Sequence, residues 1–211
     1  MDKINLTKTL DSYAARRGVF RELVVPPLRY LMLDGRGDPN TSPAFGEALE
    51  SLYPLAYKLK FASKRELGRD YVVPPLEGLW WAEDMASFTS ARDKSQWSWT
   101  VMMLVPEWID PELVARTRQG IAAGKEPPAR LGDVRLETLD EGRCVQTLHV
   151  GSFDAEAETL ARMHDEVIAS LGARLTGTHH EIYLSDQRRT APERMRTILR
   201  QPIAPAEANI A

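Results

Sequence analysis

Residues Thr178 to Asp186 read THHEIYLSD, which sets two histidines, a glutamate and a tyrosine in close succession. Those side chains are suited to metal binding, to acid–base chemistry or to gripping a ligand. Metal binding is the least favoured by spacing. On a strand His179 and His180 point to opposite faces, so they do not easily share an ion. A site from His149, one of that pair and Glu181 would lack any HExxH-type spacing. The histidines are expected as hydrogen-bonding groups at the strand start, with His164 on the polar face of a helix. Glu181 and Tyr183 share a strand face, and together they could handle a proton or meet a charged ligand.

Other chemistry is weakly marked. GRGD at Gly35 to Asp38 lacks the spacing and the lysine of a phosphate loop, and there is neither a GxSxG elbow nor a glycine-rich dinucleotide fingerprint. No cofactor is expected. Cys144 is the only cysteine; no intramolecular disulfide can form, and the residue reads as a small buried apolar side chain.

The elements that must position these residues repeat. Pro26-Pro27 breaks the chain before a strand at Leu28 to Leu33, and DGRGDPN closes that strand in a tight loop. Pro43 opens a helix whose Phe45, Leu49, Leu52 and Leu55 or Ala56 follow helical spacing, with a disturbance expected at Pro54. YVVPPLEGLWWAED and SQWSWTVMMLVPEW then read as strands. A helix over Pro111 to Ala123 and the linker GKEPPARLGD lead to VRLETLDEGRCVQTLHVGSFD, read as two strands about Glu141-Gly142. A helix ending at Gly172 and strands in HHEIYLSD and MRTILRQPI complete the order.

The fold class expected is therefore α+β: duplicated strand-helix-strand-strand units forming an antiparallel sheet, with helices on one face and a central ligand groove. The organisation expected is an N-terminal extension over 1–27 and a domain over 28–211. That domain has repeats at about 28–106 and 134–203, joined by a helix and linker at 107–133.

In this duplication Glu77 is the counterpart of Glu181. Glu77, Leu79 and Trp81 share one strand face, as Glu181, Tyr183 and Ser185 share another. Tyr183 and Trp81 stand two and four residues from their glutamates, so the match is one of face and not of offset. A trough lined by aromatics and carboxylates would take a flat apolar or cationic molecule. The alternative, an aromatic core with edge-exposed glutamates, stays open on pattern alone.

Lys plus Arg number 27 against 30 Asp plus Glu, for a net charge of −3 with the signs interspersed. This argues against a partner held through nucleic-acid phosphates. No apolar run approaches the roughly 20 residues needed to cross a bilayer, and MDKINLTKTL lacks the apolar core of a signal peptide. A cytoplasmic location without a membrane partner is expected.

YLMLDGRGDPN, LYPLAYKLKF, DYVVPPLEGLWW, EGRCVQTLHVGSFDAEAETL and HHEIYLSDQRRTAPERMRTILRQPI, taken in order, resemble the stand-alone branch of the GyrI-like family of small-molecule-binding proteins. The likeness runs from about Val25 to Ile203. It implies a duplicated fold with a ligand groove, in which Glu181 lines the pocket and can pair with cationic drugs. Related domains act as ligand sensors in multidrug-responsive regulators. Here Met1 to Pro27 is too short, and lacks the pattern, for a helix-turn-helix reader.

Some similar stand-alone members hydrolyse the cyclopropane of DNA-alkylating natural products such as yatakemycin, through an aromatic tunnel. The resemblance thus implies two readings. One is a binding protein for hydrophobic, aromatic or cationic compounds with a role in drug or toxin tolerance. The other is a cyclopropanoid hydrolase. In the second, Glu181 and Tyr183 would be catalytic, and Glu77, Tyr71, Trp80, Trp81 and Trp99 would join them in binding. An inhibitor of a gyrase-like partner is a third reading.

Overall fold

A computed structural model describes residues 3–83 and 93–206; within the expected 28–211 domain, residues 84–92 and 207–211 lie outside these. The fold is α+β. The described helices are α1 (Leu6–Thr9), α2 (Pro43–Glu66), α3 (Pro111–Ala122) and α4 (Glu156–Ala161). The strands are β1 (Arg21–Val25), β2 (Leu28–Arg36), β3 (Leu76–Trp81), β4 (Ser98–Leu104), β5 (Arg135–Leu139), β6 (Gly142–Val150), β7 (Ala173–Leu175), β8 (His179–Tyr183) and β9 (Arg196–Pro205). Contacts divide the chain into a first unit of Met1–Asp11 with Leu28–Leu139 and a second of Ser12–Pro27 with Asp140–Ala211.

In the first unit β4 lies between β3 and β2, and β5 flanks β2, all antiparallel. Helix α2 packs on β2 and β4. It begins at Pro43, where a missing N–H costs nothing, and buries Leu52, Leu55, Ala56, Leu59, Ala62 and Ser63 as one stripe. Each of those fully buried leucines is worth about 2 kcal/mol of transfer energy. The helix runs unbroken through Pro54, where sequence suggested a disturbance. The ring removes one hydrogen bond, and the buried apolar stripe on both sides of it outweighs that loss.

The second unit follows the same plan. Strand β9 lies between β8 and β6, and β1 flanks β6, again antiparallel. The additional strand β7 pairs with β9. Helix α4 continues through Arg162–Ile168 in π geometry, and Gly172, at φ 59°, turns the chain beyond it. The strand-helix-strand-strand order is thus β2-α2-β3-β4 in one unit and β6-α4-β8-β9 in the other.

The outer strands cross the expected boundaries. Strand β1 lies in the stretch expected as an extension, yet it pairs along its whole length with β6. Strand β5, near the start of the expected second repeat, pairs with β2 of the first unit. Alternation marks such segments as strands but carries no information about a partner more than a hundred residues away.

Candidate functional site

In the second unit, β8 turns His179, Glu181 and Tyr183 to one face and His180 and Ile182 to the other. The first face meets the helical segment. The Tyr183 ring stands edge-on to Phe153 at 5.7 Å, and His179 stands edge-on to His164 of the π turn at 6.3 Å. Tyr183 donates its hydroxyl hydrogen to Glu181 Oε2 at 2.8 Å. The other oxygen, Oε1, lies 3.6 Å from His179 Nε2. His149 belongs to the same face through the cross-strand row His149, Thr197, Tyr183. Its Nδ1 lies 3.3 Å from Thr159 Oγ1 and its Nε2 3.1 Å from the Ser152 carbonyl.

This face holds unsatisfied polar atoms. Among the described residues, both ring nitrogens of His179, Nε2 of His164 and Oγ1 of Thr147 are buried without a hydrogen-bond partner. Thr147 shares a cross-strand row with Leu199 and Glu181. Buried polar groups are almost always satisfied, so their concentration beside a carboxylate and a phenol marks a place built for more than packing. Burial, reinforced by the nearby His179, pushes the His164 imidazole down to about 4, so it is neutral at physiological pH. Sequence placed His164 on the polar face of its helix. The π turn carries an extra residue per turn, so an ideal helical wheel does not place this side chain.

The opposite face of β8 is closed. His180 Nδ1 lies 2.9 Å from Glu141 Oε1, and Arg200 donates to Glu141 Oε2 at 2.6 Å, to Gln146 Oε1 at 3.0 Å and to the Ser12 carbonyl at 2.7 Å. Burial raises the Glu141 pKa, but the His180 and Arg200 charges and hydrogen bonds prevail and hold it at about 2. Burial and then the Glu141 charge push the Cys144 thiol up to about 12, so it stays protonated and inert. The adjacent histidines thus have separate surroundings, and no group of three or more His, Cys, Asp or Glu among the described residues is arranged to hold a metal ion.

In the first unit the aromatics divide by face. Trp80 and Trp99 are cross-strand partners that flank Phe45 of α2, Trp80 stacked at 6.3 Å and Trp99 edge-on at 5.0 Å. Trp97 stands edge-on to Trp80 at 5.9 Å. Trp99 is wholly buried over Gly35, where a Cβ would come within 2.0 Å of its ring. Tyr71 is buried beside Trp108, with its hydroxyl unpaired and its pKa raised by burial.

Glu77 is fully buried, and Trp81 is 37% exposed. Because β3 pairs with β4 in unbroken register, Glu77 and Trp81 lie on the side opposite Trp80, away from Phe45. Glu181, in contrast, lies on the side that meets the helical segment of its own unit. The equivalence expected between Glu77 and Glu181 therefore holds for the strand and not for the face. An offset of two residues against four leaves face undetermined, and the aromatic that packs with α2 is Trp80, one residue before Trp81.

The model of the GyrI-like small molecule binding domain matches residues 20–204. The chain belongs to the GyrI-like family. It is similar in structure to a conserved protein from Listeria innocua, with 38% identity, a TM-score of 0.86 and coverage of 96% of this chain and 100% of that one. It is likewise similar to a protein from Listeria innocua described as a hydrolase, with 35% identity, a TM-score of 0.82 and the same coverage. The C-terminal domain of EcmrR shares the fold, with 10% identity, a TM-score of 0.51 and coverage of 89% of this chain and 98% of that one. Among curated proteins none matches. As a GyrI-like domain the chain takes a small-molecule ligand. No described helix is long and apolar enough to cross a membrane.

Sequence thus singled out Glu181 and Tyr183, which the fold brings into direct contact. It weighed His149 beside Glu181 only as part of a metal site, and it missed Phe153 and the approach of His164 to His179. The period-two pattern could have put His179 on the Glu181 face, while Phe153 and His164 depend on how a distant helical segment returns to the sheet.

Proposed function

We propose that this GyrI-like domain is a cytoplasmic hydrolase of strained, electrophilic aromatic compounds of the cyclopropanoid class, acting in tolerance of such toxins. The observation that carries this reading is the 2.8 Å hydrogen bond from Tyr183 to Glu181. A carboxylate that only paired with a cationic drug would gain from both oxygens being open to it. Here one oxygen is committed to a phenol, which is the arrangement of an acid and a base that exchange a proton. The similarity to a Listeria innocua protein described as a hydrolase, over the full length of that chain, supports the same reading.

The chemistry balances without a cofactor. Glu181 removes a proton from water as its oxygen bonds to the cyclopropane methylene. The strained C–C bond breaks, and its electron pair flows into the ring to leave a phenolate at the former dienone oxygen. That oxygen takes the Tyr183 proton, and Glu181 returns the water's proton to Tyr183 across their hydrogen bond. The net change is addition of one water.

The experiment is product analysis by mass spectrometry after incubation with a duocarmycin-type cyclopropane, beside Glu181→Gln and Tyr183→Phe. A product heavier by one water, formed over many turnovers and suppressed in both variants, is the expected result. Retention of unchanged compound by the wild type, weakened in Glu181→Gln, would replace the hydrolase with a binding protein for aromatic or cationic ligands.

A further inference from the structure

Glu181 is approached from two sides, and only one of them belongs to the chemistry described above. Tyr183 occupies Oε2, while Oε1 faces His179 Nε2 at 3.6 Å, with the two side chains 14% and 12% exposed. His179 has no hydrogen-bond partner for either ring nitrogen among the described residues. A buried imidazole with two idle nitrogens is costly, and that carboxylate oxygen lies 3.6 Å from one of them. Behind it stands the His164 ring, edge-on at 6.3 Å and itself unpaired at Nε2.

We propose that His179 is a positioning residue for Glu181. Its Nε2–H, swung through the short remaining gap, holds Oε1, so that the carboxylate keeps Oε2 toward Tyr183. The inference rests on the hydrolase reading for its functional meaning, although its physical content, control of the Glu181 carboxylate, does not depend on turnover.

The neighbours favour this arrangement. His164 packs against His179 from the π turn, and its neighbour Asp165 bears on it electrostatically. A second charged imidazole there would compete with a charge on His179, and burial keeps His164 neutral. On β6, His149 is pinned by the Ser152 carbonyl and Thr159, so it does not compete for Oε1. Arg17 and Glu181 act on that ring with opposing effects, while burial lowers its pKa. Tyr183 and Phe153 complete the groups facing the pair.

The test reads Glu181 directly. The side-chain carboxyl carbon of Glu181 is followed by NMR through an acid titration in the wild type, in His179→Leu and in His179→Gln, whose amide nitrogen reaches nearly the place of Nε2. The expected result is a roughly tenfold rise in the proton affinity of Glu181 in His179→Leu, with most of that rise cancelled in His179→Gln. Turnover of the cyclopropane probe should fall in kcat more than it changes in KM for His179→Leu, and recover in the glutamine variant. Titration of Glu181 that is identical in all three proteins overturns the proposal. Where His179→Leu does not fold, the reciprocal experiment decides: Glu181→Gln should lower the proton affinity of His179, and an unchanged His179 titration overturns the proposal equally. A shifted Glu181 titration in a protein that turns nothing over would leave His179 in its role and remove the hydrolase instead.

Discussion

The buried Glu141 cluster offers a sharp test of how this fold is stabilised. Glu141→Gln keeps size and shape but removes the one negative charge set between Arg200 and His180. A carboxyl that falls from an ordinary value of 4.5 to about 2 on folding favours the native state by the difference, about 2.5, at about 1.36 kcal/mol for each pKa unit, or roughly 3 kcal/mol. The sign follows from the depression. The contribution is present above about pH 4.5 and is lost as pH falls toward 2. Breaking a buried pair from one side gives an independent figure of roughly 3 to 5 kcal/mol, since the remaining cation is stranded. The assay is urea denaturation at closely spaced pH values between 7 and 2. Glu141→Gln should be about 3 kcal/mol less stable than wild type at neutral pH, and the gap should close as the wild type is acidified. Because Arg200 and Gln146 hold the Ser12 and Ala14 carbonyls, hydrogen exchange in residues 12–27 should quicken as well. A variant within about 0.5 kcal/mol of wild type at pH 7, or a gap constant from pH 7 to pH 2, would refute the reasoning.

Further predictions concern other parts of the chain. Gly35→Ala puts a methyl group within 2.0 Å of the Trp99 ring; it should cost about 1 to 3 kcal/mol in denaturant unfolding and shift tryptophan emission, as overpacking does. The His164 ring should titrate near pH 4 by NMR, and its proton affinity should change in His179→Gln, because the His179 charge is the second cause of its depression after burial. Cys144, with its thiol pushed up to about 12, should resist thiol reagents at pH 8 in the native protein and react once urea unfolds it. Trp81→Ala, at an exposed site on the far side of β3 from Phe45, should change stability far less than Trp99→Ala, for which about 3 to 5 kcal/mol is expected.

The sequence was most informative where periodicity is local. Alternation placed Glu181 and Tyr183 on one face, proline set the start of α2, and glycine set the turns at Gly142 and Gly172. It was silent where a residue's surroundings come from afar. Nothing in DEGRC shows that Glu141 meets Arg200, and nothing in RELVV names β6 as its partner. Face was misread in β3 because Glu77 is an acid that the core has taken in, against the usual preference for exposure. His164 escaped because the helix widens just before it.

The exchange of outer strands has a consequence for how the chain is born. Strand β5 follows shortly after the elements it completes, so the first unit can close while the rest of the polypeptide is still on the ribosome. Strand β1, by contrast, emerges long before its partner β6, which ends only at Val150. Until β6 is made, the edge of β1, including the exposed Val24, is an unmatched strand open to association with other chains. The two basic side chains in the short run before it, Arg16 and Arg17, and the Arg21–Glu22 pair within it are the kind of charges that keep such an edge soluble until its partner arrives.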